Sequence, residues 1–487
     1  MRSLFFIMLS LILVAGCVTD AGSKKEPNFN ESSITPSQSN TTVPFLNNPN
    51  QTQTNLTNET PSTSPLNITT NGTSTIVVPP PNVTAPFPPA DNVTNLTLTK
   101  HSTDKLSFWA NGTQLRGANV YQRRVYVELD GTEFMGSGVI GPPLTQSDFD
   151  NLAKAGANLV VLSHPGIFDE TPPYAFSKSV QDNLDKLIDM AEKADLFVVI
   201  AYRTGPGRSE FSILRDGAGV WFDESYLNDD IWKVNKAQDA YAAMWKSTAE
   251  HYRNRSVVIG YDLMVEPNSN AVLDIYDPTD FYPTYEDTTY DWNSLHPRIT
   301  KAIRQTDNST PILIGGLDYS SVSWLPYLKP NEDNRTVYTV HQYEPQDGYT
   351  HQNADELDNG YPGSFDISGD GTIEDFNKAW IDDFLGPVDT FKTRYGVPVA
   401  VTEYGVQRWE PGADLFIDDE TTLFEKRGMN YVIWDWSTSY KPVTDSDNAF
   451  NFRFGSDPAQ SKDTNSKLYD VIKKYWKKNT LRPSNSN

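Results

Sequence analysis

From about Leu106 onward the chain alternates between two hydrophobic patterns. Short apolar runs bounded by Gly, Pro, Asn or Asp are separated by longer stretches in which apolar residues recur every three or four positions. The short runs fall at residues 115–120, 158–162, 196–201, 257–266, 311–314, 337–341, 398–403 and 431–436. They lack polar alternation, as strands covered on both faces of a parallel sheet do. The longer stretches read as helices. Thr145-x-x-Asp148 before Phe149, Leu152 and Ala155 predicts a capped amphipathic helix. Leu184, Leu187, Ile188 and Ala191 mark a second, residues 238–252 a third, and Leu468, Val471, Ile472 and Tyr475 the last. Eight strands interleaved with helices predict one (β/α)8 barrel over residues 101–480, with a polar tail at 481–487. A doubly wound open sheet shares the alternation, but no G-x-G-x-x-G turn follows the first strand.

The first hundred residues differ. Met1-Arg2-Ser3 is a positive start, residues 4–14 are apolar, and Ala15-Gly16 precede Cys17, the one cysteine of the chain. The apolar run is short for a bilayer span and reads as an export signal over residues 1–17. Val14-Ala15-Gly16-Cys17 resembles the prokaryotic lipoprotein signal, in which the cysteine becomes the lipid-bearing mature N-terminus. An ordinary signal peptide with an incidental cysteine is the alternative. Residues 18–100 are rich in Asn, Thr, Ser and Pro and have too little apolar material to offset ordering, so a disordered stalk is expected. Ten N-x-[ST] sequons between Asn30 and Asn95 favour a glycosylated one. Together these features suit an exported protein, lipid-anchored on the outer face of a prokaryotic membrane, and an archaeal one best.

Composition changes the picture only by exclusion. A net charge of -23 argues against nucleic acid and against polybasic adhesion to membranes. One cysteine excludes an intramolecular disulfide. A monomer acting on a neutral polymer fits these bounds.

The chemistry gathers at the C-terminal strand ends, where barrel enzymes place their sites. His164, Tyr202, Arg203, Glu266, His341, Tyr343, Glu403, Trp434 and Trp436 all fall there in the predicted order. Two carboxylates with aromatic and imidazole neighbours are the equipment of glycoside hydrolysis: one acid protonates the leaving oxygen, and the other attacks the anomeric carbon or activates water. Taken singly, Glu266 also fits a loop-edge salt bridge and Glu403 a helix cap. Loop aromatics Trp221, Phe222, Tyr276, Phe281, Tyr282, Tyr285, Tyr290 and Trp292 are available to stack on further sugars or to pack their own loops. Asp366, Ser368, Asp370 and Thr372 occupy positions 1, 3, 5 and 7 of an EF-hand-like calcium loop with Gly371 at 6. The twelfth position is Asn377 rather than an acid, and a plain Asp/Gly turn fits the same residues.

The barrel resembles glycoside hydrolase family 5, the cellulase and mannanase family of retaining (β/α)8 enzymes. The matching pieces are Leu115-Arg116-Gly117-Ala118-Asn119, Gly156-Ala157-Asn158, Tyr261-Asp262-Leu263-Met264-Val265-Glu266-Pro267, His341-Gln342-Tyr343, Thr402-Glu403-Tyr404-Gly405 and Trp434-Asp435-Trp436. The resemblance implies that Glu266 is the acid/base and Glu403 the nucleophile. It also implies that Tyr343 hydrogen-bonds the nucleophile, that His341 contacts the leaving-group side and that Trp434 is the sugar platform, with no cofactor beyond a structural calcium at most. Two positions depart from the family pattern. Val265 stands where the family has an Asn that holds the sugar 2-hydroxyl, and Val160-Val161-Leu162 lacks the family's Arg. Arg203 is placed to supply the missing cation, or to anchor a loop, and His164 to supply the missing polar contact. The expected activity is retaining cleavage of β-linked glucan at the cell surface. Mannan or another β-glycan is the second reading, and a carbohydrate-binding lipoprotein without activity the third.

Overall fold

The computed structural model describes residues 104–125, 140–141, 143–209, 228–436 and 448–486. Cys17, the sequon-rich stalk, Trp221 and Phe222 lie outside them. Eight parallel strands close into a barrel, as the alternation predicts: β1 Arg116–Tyr121, β2 Leu159–His164, β3 Phe197–Tyr202, β4 Val258–Asp262, β5 Ile312–Gly315, β6 Thr336–Gln342, β7 Val399–Tyr404 and β8 Tyr431–Ile433. β8 closes the ring on β1, with Gly117 opposite Val432. Gly117 is required on its other side, since a Cβ there would meet the Leu159 carbonyl oxygen at 1.7 Å.

The helices of ten or more residues among the described residues are α1 Gln146–Ala155, α2 Lys178–Lys193, α3 Asn235–Tyr252, α4 Trp292–Ile303, α5 Gly386–Tyr395, α6 Ala413–Lys426 and α7 Lys467–Trp476. The predicted start of α1 is present: the Thr145 amide donates to Asp148 Oδ2 at 2.7 Å. No full helix follows β5. Asp318, Tyr319 and Ser320 instead take left-handed φ of 55°, 57° and 64°, and a short 3-10 turn Leu325–Tyr327 leads into β6.

Both strand faces are buried, but against different partners. Leu159, Val161, Val199, Leu313, Val337 and Ala400 fill the barrel interior. Val160, Leu162, Val198, Ile200, Ile312 and Val401 pack outward against the helices with Leu184, Leu187 and Ile188 of α2. Each Val, Leu or Ile among them gains roughly 1.5–3 kcal/mol from full burial. Phe108 and Trp109 seal the N-terminal end, where the Trp109 indole donates to the Ile259 carbonyl at 3.0 Å. The polar tail docks there too: Asn158 donates to the Leu481 carbonyl at 3.0 Å. Among the described residues that end is closed, which leaves the C-terminal strand ends for a ligand.

Candidate active site

β6 and β7 pair so that His341 stands opposite Glu403, with a register shift between Val401 and Glu403. Strict alternation from the interior Ala400 would turn Glu403 outward. The bulge instead aims Glu403 into the barrel mouth and Tyr404 at the helix layer. Glu266 is not the last residue of its strand, as the apolar run suggested. β4 ends at Asp262, and Glu266 follows four residues on with a left-handed φ of 56°. For a non-glycine residue that conformation costs on the order of 1–3 kcal/mol and persists only where its surroundings over-determine it. Arg208 does so, donating to the carbonyls of Val265 and Glu266 at 2.8 Å each.

The two carboxylates and His341 converge, each offering an atom within 4.8 Å of the others. His341 Nδ1 lies 3.0 Å from Glu266 Oε1 and 3.6 Å from Glu403 Oε2. The Tyr343 hydroxyl donates to Glu403 Oε2 at 3.1 Å. Arg203 reaches both acids, at 3.1 Å from Glu403 and 3.7 Å from Glu266. Its Nε donates to Ser163 Oγ at 3.1 Å, and its guanidinium lies 5.0 Å from the Trp434 ring and 5.3 Å from that of Tyr121. This is the one group of acids and histidine close enough to share a cation among the described residues. Arg203 already places a positive charge between the two acids.

Beneath them Asp262, 3% exposed, is pushed up to about 7 by burial and by the Glu403 charge, against His341 and Arg203. Burial also lifts the Glu403 carboxyl, reinforced by the Glu266 charge and opposed by His341 and Arg203. Burial would raise Glu266 as well, but the His341 hydrogen bond and charge, with Arg203 and Arg208, outweigh it and hold that carboxyl below its usual range. Burial would lower His341, but Glu403, Glu266 and Asp262 outweigh it and hold the imidazole above its usual range. Three acids thus face Arg203, Arg208 and His341 in a buried network.

Three predicted contacts do not reach this network. The His164 ring points out of the barrel, 2.7 Å from the Pro165 carbonyl and 2.9 Å from Asn183 Oδ1 on α2. Tyr202 also faces the helix layer, bonded to Thr248 Oγ1 at 2.8 Å and packed on Trp245. Both share the parity of outward Leu162 and Ile200, which is the physical reason. Trp436 lies past the end of β8, shorter than the predicted 431–436, and its indole donates to the Asp148 carbonyl at 3.0 Å. Val265, where the resemblance expects an amide, sits 3% exposed in the interior apolar cluster.

The residues of the expected calcium loop form a hairpin turn between Gly363–Phe365 and Glu374–Phe376. Asp366 accepts the amides of Asp370 and Gly371 at 3.1 and 2.8 Å, and Asp370 that of Thr372 at 2.8 Å. Among the loop aromatics, Phe281 and Trp292 are buried, and Tyr282 stacks on Tyr327 at 5.7 Å. Tyr285 and Tyr290 pack on each other at 5.5 Å. Tyr276 is 44% exposed, and it lies with Tyr319 on the Glu266 side. The Tyr319 amide donates to the Pro267 carbonyl at 3.1 Å, and Asn270 holds Asp318 through two bonds of 2.9 and 3.0 Å. Asp262, Arg208, Tyr121 and Tyr319 were not singled out from sequence. A polar residue of interior parity was the available signal for Asp262 alone.

The chain spans about half the length of the curated relatives it matches. It is 24% identical over 216 residues to endoglucanase C of Acetivibrio thermocellus, covering 43% of this chain and 53% of that protein. It is 33% identical over 139 residues to an endoglycoceramidase of Hydra vulgaris, 27% of this chain and 25% of that one. Its fold is similar to that of endoglucanase Cel5A from Thermotoga maritima, with a TM-score of 0.52 and 17% identity over 76% of this chain and 99% of that one. Residues 118–440 match the cellulase family as a whole. The chain belongs to glycosyl hydrolase family 5.

Proposed function

We propose that the protein is a retaining glycoside hydrolase that cleaves β-linked glucan by double displacement. The observation that carries this reading is the closeness of Glu266 and Glu403, each with an oxygen within 4.8 Å of the other. Retaining enzymes hold their carboxyls about 5–5.5 Å apart, whereas inverting ones leave about 6.5–9.5 Å for a water. Glu403 is the nucleophile, because Arg203 and Tyr343 each donate to it at 3.1 Å and so support and aim a carboxylate. Its oxygen bonds to the anomeric carbon as the glycosidic bond breaks, and Glu266 gives its proton to the leaving oxygen. In the second step Glu266 takes a proton from water, whose oxygen displaces Glu403 and restores the original configuration.

In the free site His341, Arg203 and Arg208 hold the Glu266 carboxyl below its usual range, while burial and the Glu266 charge lift that of Glu403. His341, within 3.6 Å of both acids, is placed to exchange a proton with either. Tyr276 and Tyr319 flank Glu266 on the side where the leaving group departs.

The deciding experiment follows cellohexaose hydrolysis by proton NMR, beside a panel of β-glucans and mannans. β-Glucan cleavage with the β-anomer released first supports the reading, and the α-anomer first would sink the retaining mechanism. A preference for mannan would replace glucan as substrate. Glucan binding without cleavage would leave a carbohydrate-binding protein.

The local match to an endoglycoceramidase favours a second reading, in which the leaving group is a lipid rather than a sugar. The exposed Tyr276–Tyr319 ledge suits an apolar leaving group as well. A glucosylceramide in the panel separates the two.

We also propose export, anchoring through lipid on Cys17, glycosylation within residues 18–100, and a monomeric state. A Cys17→Ala chain should appear in the medium; one that stays with the membrane fraction would remove the anchor.

A further inference from the structure

A cleft of about 530 Å³ opens between the stretch after β7 and the loop before α7. Trp409, Glu410 and Asp414 lie on one wall, and Asp457, Gln460 and Asn465 on the other. The volume is within the range of about 300–1,000 Å³ for small-ligand sites. Its walls are tied together. Arg408 donates to the carbonyls of Asn448, Gly455, Asp457, Pro458 and Gln460 at 2.6–3.1 Å. Gln352 fixes the near wall, donating to Glu410 Oε2 at 2.6 Å and accepting the Trp409 indole N–H at 2.9 Å.

Glu410 is the unusual member. It is 3% exposed, yet its Oε1 is buried without a hydrogen-bond partner among the described residues. Buried polar atoms are rarely left so, and each is a place where a partner is missing. Burial pushes the carboxyl up to about 8, so near neutral pH it is an uncharged acid that both donates and accepts.

The lining selects a ligand class. Glu410, Asp414 and Asp457 do not converge as Glu266, His341 and Glu403 do, so a shared cation is not built in. An anion would meet acids on both walls, and an apolar molecule would leave the Glu410 oxygen unsatisfied. A neutral, hydroxyl-rich ligand with a flat apolar face fits each element: the indole for stacking, the amides and Glu410 for hydroxyls. Trp409 follows Glu403 by six residues, so the cleft opens at the same barrel end as the carboxylates.

We propose that the Trp409–Glu410 cleft is a second glycan-binding site, holding one stretch of a polymer while another occupies the Glu266–Glu403 site. This rests on the β-glycanase reading. The test uses the full chain with Trp409→Ala and, separately, Asn465→Trp, which fills the cleft from an exposed position. The readouts are kcat/KM on mixed-linkage β-glucan, kcat/KM on p-nitrophenyl β-cellobioside, and retardation in gels cast with the glucan. Each variant should lower the polymer-to-short-substrate ratio about tenfold, through KM, and weaken retardation. Wild-type ratio and retardation in both variants would overturn the proposal. So would an equal loss on both substrates in Trp409→Ala with no change in Asn465→Trp, which would mark Trp409 as structural. If the wild-type chain cleaves no β-glycan but both variants lose retardation, the catalytic reading fails and the cleft stands.

Discussion

His164 and His341 both lie at the C-terminal end of a barrel strand and both are buried, but they shift in opposite directions. His164 points at α2, meets only neutral partners, and is pushed down to about 4 by burial. His341 points into the barrel mouth, and three neighbouring carboxyls raise it although burial alone would lower it. The same division runs through Tyr202 and Arg203, adjacent residues of which one packs on Trp245 and the other spans two acids. Position at a strand end is therefore only half of a site assignment. The side of the strand decides whether a polar residue is satisfied by the scaffold or held for a ligand.

The sharpest way to break this comparison is to remove one inward acid. Glu403→Gln or Glu266→Gln should lower kcat/KM on β-glucan on the order of 10³-fold, within the range for acid/base and nucleophilic groups. Melting temperature should hold or rise in Glu403→Gln, because a buried charge beside another is removed. Near-wild-type turnover in either variant would defeat the inward assignment. Arg203→Met comes next, with an expected activity loss of about 10²-fold and a stability loss of roughly 3–5 kcal/mol, since two buried carboxyls lose their shared cation. Activity loss with unchanged stability would show that Arg203 does not balance them.

How much of this could be read from the chain depended on which physical signal each residue left. Strand and helix order was legible because apolar runs and 3.6-residue spacing survive in any sequence that builds the layers. Strand parity was not, because both faces of a parallel barrel are apolar. Val160 and Val161 look alike in sequence yet face helix and interior. Counting from interior Ala400 would even have misplaced Glu403, because the bulge is a backbone event without a residue signature here. The left-handed turn at Asp318–Ser320 contains no glycine to announce it. Arg208 was hidden for another reason: it acts on backbone carbonyls, so no motif surrounds it.

The two histidines offer a test of middle size. His164 has its folded pKa near 4, below the usual value of about 6.5, so the native state favours the neutral ring. Its contribution is complete above pH 6.5 and is lost as pH falls toward 4, by up to roughly 3 kcal/mol. His341, raised in the fold, contributes below pH 6.5 and loses that contribution as pH rises through its folded value. Urea unfolding of His164→Gln against wild type should therefore show a smaller deficit at pH 4.5 than at pH 7.5. The deficit of His341→Gln should be larger at pH 5 than at pH 8. Parallel trends in the two variants would contradict the outward and inward environments.

The smallest effect gives the finest test of the outward side. Tyr202→Phe removes a hydroxyl that bonds Thr248 Oγ1 at 2.8 Å, while the ring keeps its place 4.5 Å from Trp245. Thr248 retains a second bond, to the Met244 carbonyl at 2.9 Å, so no partner is stranded and the loss should be only about 0.5–1.5 kcal/mol. The link from Tyr202 to the site is its backbone carbonyl, which accepts the Val265 amide at 3.0 Å and is untouched by the substitution. Thermal unfolding should register the loss while kcat/KM on β-glucan stays within twofold of wild type. A tenfold fall in kcat/KM would mean that the hydroxyl is read by the neighbouring Arg203 or the substrate, and the boundary drawn between residues 202 and 203 would be in the wrong place.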